Sequence, residues 1–189
     1  SNGTGHGVIV RFSPATAGTD TLQIGEYVSG WNWQLITNSV FRDTGWYHIV
    51  ITVDTTRATS SNRVKLYING VQETSFGTSS YPSLNHDTLF NTNTLQVLGG
   101  QTWNGSINDH YGGRMSNVYF LDGQALAPRF FGFTDPHTNT WRPKRLREGD
   151  SSSINDGTVW SNGTITGTSG GSSVTISTPG GAFDGDVST

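Results

Sequence analysis

The chain has 189 residues, a net charge of −3, no cysteine, and only 13% charged side chains beside 25 glycines. The lack of cysteine excludes disulfides and thiolate zinc sites, and the near-neutral balance argues against a nucleic-acid-binding face. Six Trp, six Tyr and nine Phe can fill a core, so the chain reads as folded, and no apolar run approaches the roughly 18–20 residues of a membrane helix.

In chain order, GVIVRFS (7–13), TLQIGEYV (21–28) and WQLITNSVF (33–41) read as strands, the first two separated by the turn-rich SPATAGTD. In WYHIVITVD (46–54), Tyr47, Ile49, Ile51 and Val53 fall on one face, with Trp46, His48, Val50 and Thr52 opposite. RVKLYING (63–70) alternates Val64, Leu66 and Ile68 against Lys65 and Tyr67, then meets Asn69-Gly70, a strong hairpin signal because both residues tolerate positive φ. LQVLGG (95–100) and GRMSNVYFL (113–121) are further candidate strands. APRFFGF (127–133) is the best helical candidate, with Pro128 near its start. Beyond about 148–150 large apolar residues nearly vanish, leaving a Gly/Ser/Thr-rich linker with two thin strands. The expected fold is all-β, a two-sheet antiparallel β-sandwich or jelly roll over 1–148, with a short extension over 149–189 that carries the start of a second β module.

FRDTGWYHIVITVDTT followed by NRVKLYINGVQ resembles the central strands of laminin-G-like, concanavalin-A-like jelly-roll domains. NVYFLDGQALAP, FFGFTDPHTNT and WRPK, in that order, are similar to such modules in the structural proteins of marine tailed bacteriophages. The resemblance spans Val8 to Lys144 and implies a domain whose usual first strand, of the Phe-Thr/Ser-hydrophobic-Trp type, is missing before Val8. That strand is expected upstream or from a neighbouring subunit. AFDGDVST at the end resembles the opening of a discoidin-like galactose-binding module, so both ends imply a piece of a multi-module protein.

Glycoside hydrolysis, frequent on this fold, needs paired carboxylates. The glutamates stand at 26, 73 and 148, none with a carboxylate at the Glu-x-Asp-x-x-Glu spacing, and no nucleophile elbow, His-Glu-x-x-His or P-loop occurs. Glu26, in QIGEYV, is the one acid that a groove would use. The chain is therefore expected not to be an enzyme. Relatives with calcium at a rim loop point to 101–113, where Asn104, Asn108 and Asp109 offer oxygen ligands, Asp122 approaching from the next turn; Asn108 and Asp109 are the metal candidates. Sugar recognition uses aromatic faces with amides and carboxylates, and Trp31, Trp103, Asn104, His110 and Tyr111 are the ligand-binding candidates. Trp33, with Leu35, belongs to an inner sheet face, and His48 is a satisfied sandwich residue. The basic knot of Arg142, Lys144, Arg145 and Arg147 reads as solvated surface or a subunit contact, and Asp122-Gly123 as a turn.

Taken with the resemblance, these features imply a non-enzymatic structural module on a virion surface, in a phage tail or head fibre or a capsid decoration. It serves assembly as a homo-oligomer beside other virion subunits, with host-surface glycans as further partners and no nucleic acid or membrane insertion. The alternative is a secreted or cell-surface lectin-like adhesion module of a bacterium; a glycosidase fragment ranks below both.

Overall fold

The computed structural model describes residues 7–12, 20–92, 96–103, 106–108, 110–146, 159–161, 164–169 and 172–177. Strands are β1 (Gly7–Phe12), β2 (Thr21–Tyr27), β3 (Trp31–Val40), β4 (Ile49–Val53), β5 (Val64–Ile68), β6 (Val71–Glu73), β7 (Phe76–Ser80), β8 (Gln101–Trp103) and β9 (Ser106–Asn108). They are followed by β10 (Gly132–Thr134), β11 (Trp141–Pro143), β12 (Val159–Ser161), β13 (Thr164–Ser169) and β14 (Ser172–Ser177). All pairings are antiparallel. The only helical pieces among the described residues are 3-10 turns. The chain divides into two compact units, Ser1–Ala125 and Leu126–Thr189.

In the first unit a four-stranded sheet, β1-β2-β3-β7, packs against a three-stranded sheet, β4-β5-β6. Leu22, Ile24, Trp33 and Leu35 from one meet Val64 and Leu66 from the other, all nearly inaccessible, and Val8, Phe12, Ile49, Ile51, Val53, Ile68 and Phe76 close around them. Period-2 side-chain alternation aims these residues inward, and each large aliphatic so buried contributes about 1.5–3 kcal/mol. The expected two-sheet antiparallel sandwich is therefore the fold.

Local chemistry sets the registers. Asn69 and Gly70, at φ 50° and 81°, form the two-residue connection between β5 and β6. Asn69 also extends the β4–β5 ladder, its N–H donating to the His48 carbonyl while its Oδ1 accepts from the His48 N–H. Arg63 ties two loops together, donating to the carbonyls of Arg57, Ala58 and Pro82.

Two expected strands do not form. Gly113–Leu121 runs without sheet pairing: Asn117 takes φ 51°, which breaks the extended run, and Val118, Tyr119 and Phe120 are exposed. Gln96–Gly100 is likewise irregular, with Gly99 at φ 80° accepting from the Tyr111 N–H.

In the second unit the expected helix is one 3-10 turn, Pro128–Phe130, with Pro at its start. It leads into the β10–β11 hairpin, whose turn is built on Asp135: its carbonyl accepts from Asn139 and its carboxylate from the His137 N–H. The half-buried Trp141 ring lies over Gly132, where a Cβ would come within 2.5 Å of it. Arg142 pairs with Asp135 at 3.6 Å. β12, β13 and β14 form a three-stranded meander where two thin strands were expected. The AFDGDVST segment and Arg147 lie outside the described residues.

Candidate functional site

The outer face of the four-stranded sheet, turned away from the sandwich core, is built by a β-bulge. Glu26 pairs with Trp33 but Tyr27 pairs with Trp31, so Asn32 is the extra residue on β3. A bulge reverses the alternation at that point. Trp33 therefore enters the core while Trp31, two residues away, lies on the opposite face. Trp31 covers Gly25, whose missing side chain makes the space: a Cβ there would stand 2.9 Å from the indole Cζ3. Tyr27 meets the same indole edge-on, centroids 5.4 Å apart, and the Arg11 guanidinium lies 5.9 Å above it.

Beside these aromatics runs a polar row across three strands. Arg11 Nε donates to Gln23 Oε1 at 2.9 Å, and Gln23 Nε2 donates to Gln34 Oε1 at 2.9 Å. Gln23 is only 2% exposed, so the middle of the row is fixed rather than solvated. Its polarity is forced from one end. Arginine has donors only, so Gln23 must turn its oxygen to Arg11 and its amide nitrogen to Gln34. What remains for a ligand is N–H: the Arg11 Nη groups and Gln34 Nε2. With a half-buried Trp–Tyr pair alongside, the surface suits a ligand with an apolar face and oxygen acceptors.

Of the expected ligand residues, Trp31 lies on this face. Tyr111 stacks on Phe12, centroids 6.5 Å apart, and His110 beside it is exposed. Arg11 and Phe12 are consecutive on β1 and point to opposite sides, so Trp31 and Tyr111 serve different faces of the sheet. Trp103 closes β8 opposite Ser106 of β9. Asn104 and Asp109 lie outside the described residues, and Asn108 is described only as the β9 residue opposite Gln101. Among the described residues no three His, Asp or Glu side chains come together to hold a metal. Asp122 is exposed at a bend before Gly123, φ 72°. Sequence reasoning passed over Arg11, Gln23, Tyr27 and Gln34. The signal for Gln23 and Gln34 was there, in their alternation with the buried Leu22, Ile24 and Leu35.

Glu26 does not line this face. It projects to the inner side at the end of β2, 1% exposed. Asn32 Nδ2 and His86 Nε2 meet its Oε1 at 2.9 and 2.7 Å, and the Leu89 N–H donates to Oε2 at 2.8 Å. Burial by itself raises the carboxyl pKa, but the hydrogen bonds from Asn32, Leu89 and His86 and the His86 charge outweigh it, leaving the pKa below the ordinary value. The carboxylate fastens the 81–91 loop to the sheet and holds the bulge through Asn32.

A family model described as the concanavalin A-like lectin/glucanases superfamily matches residues 1–128. No curated protein and no solved structure matches the chain.

Proposed function

The chain belongs to the concanavalin A-like lectin/glucanase superfamily, and from that premise we propose that it is a non-enzymatic carbohydrate-binding module that grips sugar on the outer face of its four-stranded sheet. The observation that carries this reading is the bulge at Asn32, which delivers Trp31 to a face already furnished with Tyr27 and the Arg11–Gln23–Gln34 row. A non-enzymatic role is supported by the glutamates described: Glu26 is enclosed by its donors, and Glu73 accepts from the Ser39 hydroxyl and the Ser75 N–H.

The setting we propose is a virion surface, where copies of the module stand in a tail or head fibre or a capsid decoration and touch other virion subunits. The ordered motifs NVYFLDGQALAP, FFGFTDPHTNT and WRPK support this setting. Repetition along a fibre would convert weak single-site contacts with host glycans into useful avidity. Calcium in the 101–113 loop is a second element of the proposal, with Asn108 and Asp109 as ligands.

The test is binding of the full chain, displayed multivalently, to a glycan panel and to whole bacterial envelopes, with and without chelator. Binding that survives chelator and is lost in Trp31→Ala is the expected result. Chelator-sensitive binding lost instead in Trp103→Ala moves the site to the 101–113 loop. Absence of binding to every surface removes the lectin role and leaves assembly.

A further inference from the structure

Resting on that reading, we infer that the sugar bound at the outer face is acidic, a uronic-acid-type residue whose carboxylate is met by Arg11. The inference starts from the charge on the face. By the strand registers its described residues run from Gly7, Ile9 and Arg11 of β1, through alternate residues of β2 and β3, to Thr78 and Ser80 of β7. Arg11 is the one charged residue among them, and none is acidic. The chain carries a net charge of −3, yet this face holds a single cation among its described residues.

The arginines in described salt bridges are Arg42 with Asp20, Arg57 with Asp54 and Arg142 with Asp135. Arg11 instead sends Nε to a neutral amide and rests its guanidinium over Trp31. Holding Nε in this way fixes the plane of the guanidinium and leaves its Nη1/Nη2 edge, which matches the two oxygens of a carboxylate. Gln23, at 2% exposure, cannot swing aside, and its own amide is committed to Gln34. The side chain is thus positioned before any ligand arrives, which lowers the ordering cost of binding. Gln34 Nε2, at the far end of the row, adds a neutral donor for a hydroxyl or ring oxygen. The Tyr27–Trp31 pair supplies the apolar contact. A neutral sugar would satisfy the aromatics and Gln34 while leaving the guanidinium edge without a charged partner.

The experiment compares the full chain, displayed multivalently, on polygalacturonate, on the same polymer with its carboxyl groups reduced to alcohols, and on a sulfated neutral galactan. The inference requires binding to polygalacturonate that falls about tenfold or more on carboxyl reduction and by a similar factor in Arg11→Gln. Arg11→Lys, which keeps the charge without the fork, should recover only part of the loss. Equal binding of the acidic and reduced polymers, with Trp31→Ala abolishing both, overturns the acidic assignment while the lectin reading stands. Preference for the sulfated polymer over polygalacturonate overturns the carboxylate. Failure to bind any of the three, in a protein that melts cooperatively, overturns the acidic assignment. If neutral glycans on the wider panel fail too, the lectin reading falls with it. Thermal melting of each variant separates lost binding from lost folding.

Discussion

A methyl group added at Gly25 would lie 2.6 Å from the Trp33 carbonyl oxygen and 2.9 Å from Gln34 Cβ and Trp31 Cζ3. Replacing glycine by alanine in a strand ordinarily gains about 0.4–1 kcal/mol by restricting the unfolded chain. Here the closest obstacle is the backbone of the paired strand, so overpacking, at about 1–3 kcal/mol, wins. Gly25→Ala should lower the urea midpoint and weaken sugar binding together, because the displaced group is Trp31. An unchanged midpoint would mean that the strands part without cost. The same residues show what could be read in advance. Trp33 as core followed from its spacing with Leu35, which by alternation alone would carry Trp31 to the same face. The bulge that separates them did not, since it depends on how Glu26 and Asn32 meet across strands and leaves no periodic mark.

At the scale of elements, the irregular pairing of β2 with β3 between Thr21 and Gln23 leaves the Leu22 N–H outside the regular register. It donates to Thr37 Oγ1 at 3.0 Å, and that hydroxyl donates onward to the Ser39 carbonyl at 2.9 Å. Thr37→Val keeps the shape and β-branching but removes the acceptor, leaving a buried N–H without its partner. A loss of about 1–3 kcal/mol is expected in chemical denaturation; a neutral substitution would show that another group takes up the Leu22 N–H. The Asn69-Gly70 connection allows a graded test. Gly70→Ala forces a Cβ into φ 81°, costing about 1–2 kcal/mol, while Asn69→Ala also loses the bond to the His48 N–H and should cost more. The reverse order would place the stabilisation in the glycine alone. This hairpin was legible because two adjacent residues declare it. The apolar content of Gly113–Leu121 reads as a strand, but Asn117, in a left-handed conformation, ends the extension.

Over the whole molecule, the sandwich and its family were legible because alternation recurs in strand after strand, whereas the polar row on the outer face required the registers of β1, β2 and β3 together. The part-buried ionisable groups carry their own consequence, in the response to acid. His48, half-buried beside β4, has its pKa lowered from 6.5 by burial, and Glu26 has its pKa lowered from 4.5 by its hydrogen bonds against the opposing effect of burial. In both cases the unfolded chain takes up a proton at a higher pH than the folded chain does. Between the unfolded and folded pKa values the unfolded state therefore holds more protons, and stability falls as pH falls. The loss should come in two stages, a first one below about 6.5 from His48 and a second one below about 4.5 from Glu26. Asp54 and Asp135, whose pKa values are lowered by their hydrogen bonds from Thr56 and His137, add to the second. Glu26→Gln should cost about 1–3 kcal/mol at neutral pH, because the donors of Asn32, His86 and Leu89 lose a charged acceptor. Its profile should keep the first stage and flatten in the second, so that wild type and variant converge at low pH. Urea unfolding at intervals between pH 7 and pH 3 reads both stages. Parallel profiles for the two proteins would mean that Glu26 is not the group fastening the 81–91 loop to the sheet.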